Sequence, residues 1–409
     1  MGRAKDRWER GYSSVDANVC AACLEDEDLK NHVADKLSAT ICDFCDAEGE
    51  ADEKIAAPLD GLIELIVGAI HFSWNDPDNE GIVYESAEGG YQADLIDTRE
   101  ILFDMNITEN EELFEAIATS IRKEYWVTKD YYVGSNYQQF TWGWEAFCDE
   151  VIHRKRYLFL HPEQDGSDWE IRPSNFLFKL ADFKNRTLDE VDLIRTIDTS
   201  TDIYRVRVGS EKYTTAAELG APPAQHALQP NRMSPAGIPM FYGSFDPDTA
   251  ILETHDPTNK QKQILSIGKF RPLKTLRFLD LSALPDIPSI YELDRHYLVH
   301  ALRFFHGFAA DIARPISRNG REHIDYVPTQ IVTEFFRHIY RTGTNDRLDG
   351  IIYRSSRDGG LDACVIFCEN HQACDKKMGA AETHLLRLAQ VEHRAGSRSE
   401  ERRVGKECR

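Results

Sequence analysis

The chain has 409 residues, 42% of them hydrophobic and 10% aromatic, which fits two or three globular domains and not a disordered chain. Its 69 acidic residues outnumber the 48 basic ones, and the formal charge of −21 argues against broad electrostatic binding to nucleic acid or to an anionic membrane. The start, Met1-Gly2-Arg3-Ala4-Lys5-Asp6, lacks an apolar core, and the longest apolar run, Leu62 to Phe72, carries Glu64 and is too short to span a bilayer. A soluble cytoplasmic protein is expected.

Four of the nine cysteines form the first motif. Cys20-x2-Cys23 and Cys42-x2-Cys45 are separated by eighteen residues. Each pair can offer two thiolates to one metal ion, and two such knuckles complete a tetrahedral Zn2+ site. Four thiolates leave no open position, so the expected role is structural. Residues 48 to 58 are acidic and small, end in Pro58 and read as a linker. Helical periodicity follows: Leu59, Leu62, Ile63, Ile66 and Ile70, then Leu113, Ile117, Ile121 and Tyr125, then Trp144 or Phe147 with Val151. Thr108 with Glu111 predicts a capping box for the second helix. Gly81 to Tyr91 reads as a turn between elements.

At the end of this helical region stands Ile152-His153-Arg154-Lys155-Arg156-Tyr157-Leu158-Phe159-Leu160-His161. Arg156 and His161 resemble the Arg-x4-6-His signature of HEPN domains, in which the His would be a general base for a ribose hydroxyl and the Arg would hold the phosphate. A structural basic turn is the preferred reading. Tyr157 follows the Arg where that family usually has a small polar residue, and Pro162 ends the helix directly after His161.

A charged loop, Pro162 to Pro173, is followed by an amphipathic segment, Phe176 to Phe183, and a helix-like segment, Leu188 to Thr196. Ile203 to Val208 alternates as a half-buried strand with Arg205 and Arg207 on one face. After the Pro-containing loop Ala221 to Pro230 comes Asn231-Arg232-Met233-Ser234-Pro235-Ala236-Gly237-Ile238-Pro239-Met240-Phe241-Tyr242, running on to Glu253. Stiff Pro/Gly corners here hold one basic group, one phenol and one carboxylate. Two readings fit: a pocket for an anionic ligand with a developing cation, or a hairpin whose Arg and Glu form a surface pair. Gln263–Phe270 and Leu273–Leu279 read as strands and Tyr291–Phe305 and Asp325–Arg337 as helices; a turn, Arg341 to Asp349, delivers the segment Gly350–Ser356, and Ala363–Phe367 reads as a strand. Cys364, Cys368 and Cys374 lack metal-site spacing and read as core or surface thiols. Residues from about 390 onward are charged and nonperiodic, and a tail is expected over 386–409.

Three separated pieces resemble the RES domain toxins: Tyr204-Arg205-Val206; Arg232 with Ser234-Pro235-Ala236-Gly237-Ile238-Pro239, Tyr242 and Glu253; and Gly350-Ile351-x-Tyr353-x-Ser355. Tyr326-x-Pro328-Thr329-Gln330 and Glu334 resemble the longer branch of that family. The N-terminal half is similar to the HEPN-associated domain fused ahead of RES domains. Together with the cysteine spacing and the nonperiodic tail, the resemblance implies a multidomain α+β protein: a zinc-binding four-cysteine element (1–50), a helical HEPN-like domain (51–185), an ADP-ribosyltransferase-like mixed α/β RES domain (186–385) and the tail. It further implies destruction of NAD+ in a toxin–antitoxin or phage-defence setting, with a protein antitoxin as partner; another copy of the chain is a second candidate partner. Arg205 and Arg232 would bind the pyrophosphate, Tyr242 the nicotinamide ribose, Glu253 the developing oxocarbenium and Ser355 the carboxamide or ribose. Arg354 stands where Pro is usual, and is expected to loosen that turn and leave Ser355 and Ser356 as rivals for one role, with Ser355 favoured by register. ADP-ribosylation of a macromolecule, or an RNA-targeting HEPN module beside a degenerate RES domain, are the alternatives.

Overall fold

The computed structural model describes residues 11–87, 89–129, 148–154, 156, 193–255, 263–314, 320–342, 344–355, 361–379 and 381–395. The described residues fall into two compact units, one made of 11–129 with Ile287–His300 and the other of the remainder.

The first unit begins with a short strand, β1 (Asn18–Cys20), and a helix, α1 (Glu27–Ala34), whose N-cap Asp26 accepts from the amides of Asp28 and Leu29. The stretch read as a linker contains strand β2 (Ala56–Pro58), which pairs antiparallel with β1. Helix α2 (Leu59–Ser73) follows at once, and its buried Leu59, Leu62, Ile63, Ile66 and Ile70 are the periodic residues of the sequence. They share one core with Val19, Leu24, Leu29 and Val33, so the cysteine segment and the helical segment pack as one body. Small strands β3 (Trp74–Asn75), β4 (Tyr84–Glu85), β5 (Gly90–Tyr91) and β6 (Ile96–Asp97) precede helices α3 (Thr98–Asp104) and α4 (Glu111–Ser120) and strand β7 (Tyr125–Thr128).

The second predicted helix differs from expectation at both ends. Its cap is Asn110, whose side chain accepts from Leu113, while the Thr108 hydroxyl is spent on the Cys23 carbonyl. It stops at Ser120 because the chain turns into pairing with an earlier segment: Ser13 donates to the Ser120 carbonyl and Ile121 bridges Tyr12. Tyr125 therefore lies in β7 and not on the helix.

In the second unit, described residues form a nine-stranded mixed sheet. Its strands are β8 (Ile194–Ile197), β9 (Ile203–Gly209), β10 (Phe241–Ser244), β11 (Ile264–Pro272), β12 (Leu276–Asp280), β13 (Gly350–Arg354), β14 (Asp362–Ile366), β15 (Ala373–Asp375) and β16 (Leu386–Ala395), in the order β15-β16-β11-β9-β10-β14-β13-β12-β8. Only the β12/β13 and β15/β16 pairs are parallel among these. The helices are α5 (Ala216–Leu219), α6 (Pro247–Thr254), residues 301–313 of α7 (His296–Ala313), α8 (Glu322–Asp325) and α9 (Val327–His338). Side chains alternate across the sheet as a period of two requires. Ile351 and Val365 pack with Phe305, Phe308, Phe335 and Phe336 of α7 and α9, whereas Ile352, Cys364 and Ile366 pack on the other face with Phe241, Phe270 and Phe278.

Three expectations are corrected here. The segment read as helix to Thr196 is strand β8 from Ile194, paired with β12; residues 188–192 lie outside the described ones. The helix expected from Tyr291 starts at His296, after a short turn at Leu293–Arg295. Residues 386–395, assigned to the tail, are a ten-residue strand that pairs with β11 along its length. Its buried Leu386 and Leu388 supply the inward positions, and the charged Glu392 and Arg394, which helped to hide it from a periodicity reading, are exposed. The segments 162–173, 176–183 and 396–409 and the residues Trp144, Phe147, His161 and Ser356 lie outside the described residues.

Candidate active site

The sheet opens at one place. Strand β9 pairs with β11 over seven positions and β10 with β14 over four, but β9 and β10 pair only at Ser244 and Tyr204. Close approach there needs Gly243: a Cβ would lie 2.9 Å from the Tyr204 carbonyl oxygen. The gap is bridged by a side chain. Arg205 Nη1 donates to the Tyr242 carbonyl at 2.6 Å, and its guanidinium lies 5.3 Å from the Phe241 ring centre. Burial lowers the Arg205 guanidinium to about 10, so it keeps its charge at neutral pH.

Around the gap lies a pocket of about 270 Å³, lined among others by Tyr204, Arg205, Arg232, Tyr242, Glu253 and Tyr353. Asn231, Gly243 and Arg314 also line it. A second hollow of about 400 Å³ shares Arg205, Asn231 and Tyr242 in its walls and adds His226, Ser234 and Met240. Arg205, Arg232, Tyr242 and Glu253, separated by up to 48 positions in sequence, thus converge on one pocket.

Each of these side chains has an identifiable support. Arg232 Nη1 donates to the Asp311 carbonyl near the end of α7 at 3.2 Å, and its guanidinium stands 4.9 Å from the Tyr326 ring centre, a cation–π separation. Partial burial lowers its pKa. The turn after it, Pro235 to Ile238, closes with an Ile238-to-Pro235 backbone bond and needs Gly237 at φ +87° as its third residue. The Tyr242 hydroxyl and the Ser234 hydroxyl bond to each other at 2.9 Å, and burial holds the phenol above its usual range. Tyr242 therefore offers the pocket its ring more than a free hydroxyl.

Glu253 sits at the C-terminal end of α6, which begins at Pro247 behind the N-cap Asp246. A carboxylate near a helix C-terminus opposes the helix dipole. It is held there by the hydroxyl of Ser355, which donates to Glu253 Oε1 from the end of β13. Ser355 is 4% exposed, and its amide donates to Leu361. Of the two rival serines, Ser355 makes the bond; Ser356 lies outside the described residues. Arg354 itself is tied down, since its Nε donates to the Ser282 carbonyl at 2.6 Å and β13 pairs with β14 through Arg354 and Asp362; the turn that follows, 356–360, lies outside the described residues. Tyr353 has its phenol pushed well above the usual range by burial and then by the nearby Glu253 charge.

Sequence reading missed Arg314, Gly243 and the wall position of Tyr353. Arg314 follows directly on α7 and pairs with Asp311 at 3.0 Å; a charged residue just past an apolar helix and before Pro315 was the available signal.

The four N-terminal cysteines converge as well, with all four Sγ atoms within 4.8 Å of one another. Thiolates at about 2.3 Å from one zinc ion stand about 3.8 Å apart in a tetrahedron. The separations are 3.6 Å for Cys20–Cys45 and 3.8 Å for Cys20–Cys23 and Cys23–Cys42. The donor set fits a metal ion. Burial opposes ionisation of Cys42, but amides of Phe44, Cys20 and Cys45 outweigh it and bring the thiol down to about 7. Cys364 and Cys368 are different: burial pushes both up to about 12, as inert core thiols require. Arg156 donates through Nε and Nη2 to the Val151 and Ile152 carbonyls of the preceding turn, at 3.4 and 3.3 Å.

Fold and site together define a mixed α/β sheet protein with an arginine-lined pocket at a break in the sheet. Residues 202–387 match the family model of the RES domain, and residues 35–165 match that of the HEPN/RES N-terminal domain 1. The chain thus carries a RES domain and, ahead of it, an HEPN/RES N-terminal domain 1. No curated protein and no solved structure matches the chain.

Proposed function

We propose that the protein is an NAD+-consuming toxin that cleaves the bond between nicotinamide and ribose, with an ADP-ribosyltransferase-like site. The observation that carries this reading is the convergence of Arg205, Arg232, Tyr242 and a serine-held Glu253 on one pocket of a RES domain. The two adjoining hollows together reach the size range of a small-molecule site, and a dinucleotide would lie across the Arg205 bridge. Its pyrophosphate suits the guanidinium groups, which form paired, charge-assisted hydrogen bonds to phosphate oxygens. In an otherwise acidic chain that pocket is a local exception.

Heterolysis of the C–N bond leaves its electron pair on the nicotinamide nitrogen and a positive oxocarbenium centre on the ribose. The Glu253 carboxylate stabilises that charge, and the Ser355 hydrogen bond fixes its direction, so no reorganisation is needed as charge develops. Water then adds to the ribose carbon and loses a proton, giving ADP-ribose; phosphate in its place gives ADP-ribose 1″-phosphate. A protein side chain as acceptor gives ADP-ribosylation from the same site. Cys20, Cys23, Cys42 and Cys45 would hold a structural Zn2+, whose binding contributes folding energy to the N-terminal unit. By family resemblance, a protein antitoxin holds the enzyme silent.

Glu253→Gln tests the chemistry. It keeps shape and removes charge, and should lower kcat/KM for nicotinamide release about 10²- to 10³-fold. Release unchanged by the substitution would overturn the assignment.

A further inference from the structure

We infer that Thr329 and Gln330, in the first turn of α9, are positioning residues that set the placement of Arg232 and with it the affinity for the phosphate-bearing part of the substrate; this rests on the reading of Arg232 as a phosphate ligand. Neither polar side chain is needed by the helix. Thr329 is 5% exposed and Gln330 7%, in a turn whose other residues, Val327 and Pro328, are apolar and buried. Burying a hydroxyl and an amide is costly unless both are satisfied.

Their partners lie in one place. Thr329 Oγ1 donates to the Arg232 carbonyl at 2.6 Å, closer than its alternative acceptor, the Tyr326 carbonyl at 3.0 Å. Gln330 Nε2 reaches the Asn231 carbonyl at 2.7 Å and the Ser234 carbonyl at 3.3 Å. Those two carbonyls belong to the residues that close the tight turn around Arg232, since Asn231 and Ser234 bond to each other through both backbones. One amide therefore grips both ends of the turn while the threonine grips its middle. The same short segment supplies the Tyr326 ring beneath the Arg232 guanidinium.

The grip extends further. Ser234, at the end of this turn, bonds the Tyr242 hydroxyl, so α9 also fixes a second wall of the pocket. A shift of about 1 Å in a substrate-holding group can cost two orders of magnitude in rate. Buried hydrogen bonds from a rigid helix are a means of preventing such a shift.

The test uses the full chain with Thr329→Val, which keeps shape and loses the donor, and Thr329→Ser, which keeps the donor. Dissociation constants are measured by calorimetry for ADP-ribose, which carries the pyrophosphate, and for free nicotinamide, which carries no phosphate. Thr329→Val should weaken ADP-ribose about tenfold, leave nicotinamide within twofold and raise the KM for NAD+ more than it lowers kcat. Thr329→Ser should stay within twofold of wild type throughout. Equal weakening of both ligands, or none for ADP-ribose, overturns the inference. Should Thr329→Val fail to fold, Gln330→Asn, whose shorter amide cannot span both carbonyls, is judged by the same ratios. Wild-type protein that binds neither ADP-ribose nor NAD+ would instead refute the reading of the pocket itself.

Discussion

Glu253 and Ser355 lie 102 positions apart and owe their meeting to the sheet, which brings the end of β13 beside α6. Removing the hydroxyl leaves a carboxylate at the unfavourable end of a helix without its donor. Ser355→Ala should lower kcat/KM about 10- to 100-fold, since hydrogen bonds to charged groups are worth roughly 1.5–3 kcal/mol. Ser356→Ala should stay within twofold of wild type; the reverse pattern in a nicotinamide assay would hand the role to Ser356. Arg205, Arg232, Tyr242 and Glu253, which line this pocket, were singled out in sequence by the resemblance to RES domains, while the residues alone left a surface Arg–Glu pair open. Gly243 was not legible as a site part, and Thr329 and Gln330 stood out only as part of a family motif with no role attached. Their importance comes from what they touch. A partner 97 or 99 positions away, as Thr329 and Gln330 have, leaves no local trace.

Elements were legible where a single strong period governs them. Leu59 to Ile70 became α2 and Ile203 to Val208 became β9 because burial on one face and propensity agree. They were misread where a distant partner decides. Residues 386–395 need β11 to become a strand, and Ile121 leaves its helical period because Tyr12 captures it. The cysteine knuckles fall between these cases: the spacing announces the pairs, and the pairing of β1 with β2 helps to tie them to the unit's core. Cys42→Ser removes the thiol that accepts from the Cys20 amide at 3.3 Å. We predict that it abolishes a one-to-one zinc content and lowers melting of the N-terminal unit by about 5 °C or more, as read by metal analysis and thermal unfolding. Full zinc retention with unchanged melting would contradict the metal assignment.

At the scale of the whole molecule, the two units are not two consecutive stretches of chain. Ile287–His300 falls inside the RES-matching region yet belongs to the first unit, where Tyr291 is 5% exposed in the core and Leu293 closes over Gly68. Interleaving of this kind is invisible to any reading that cuts a sequence into successive domains. Tyr291→Ala should cost the first unit about 3 kcal/mol, as loss of a buried aromatic does, and show as a lower melting midpoint. An unchanged midpoint would remove Ile287–His300 from that core. The central claim, cleavage of NAD+ at its nicotinamide–ribose bond, is tested most directly by incubating the purified full chain with NAD+ and quantifying free nicotinamide against remaining dinucleotide. Equimolar nicotinamide for every NAD+ lost is the predicted result; intact NAD+ with no nicotinamide released, from folded protein free of any inhibitor, would contradict it.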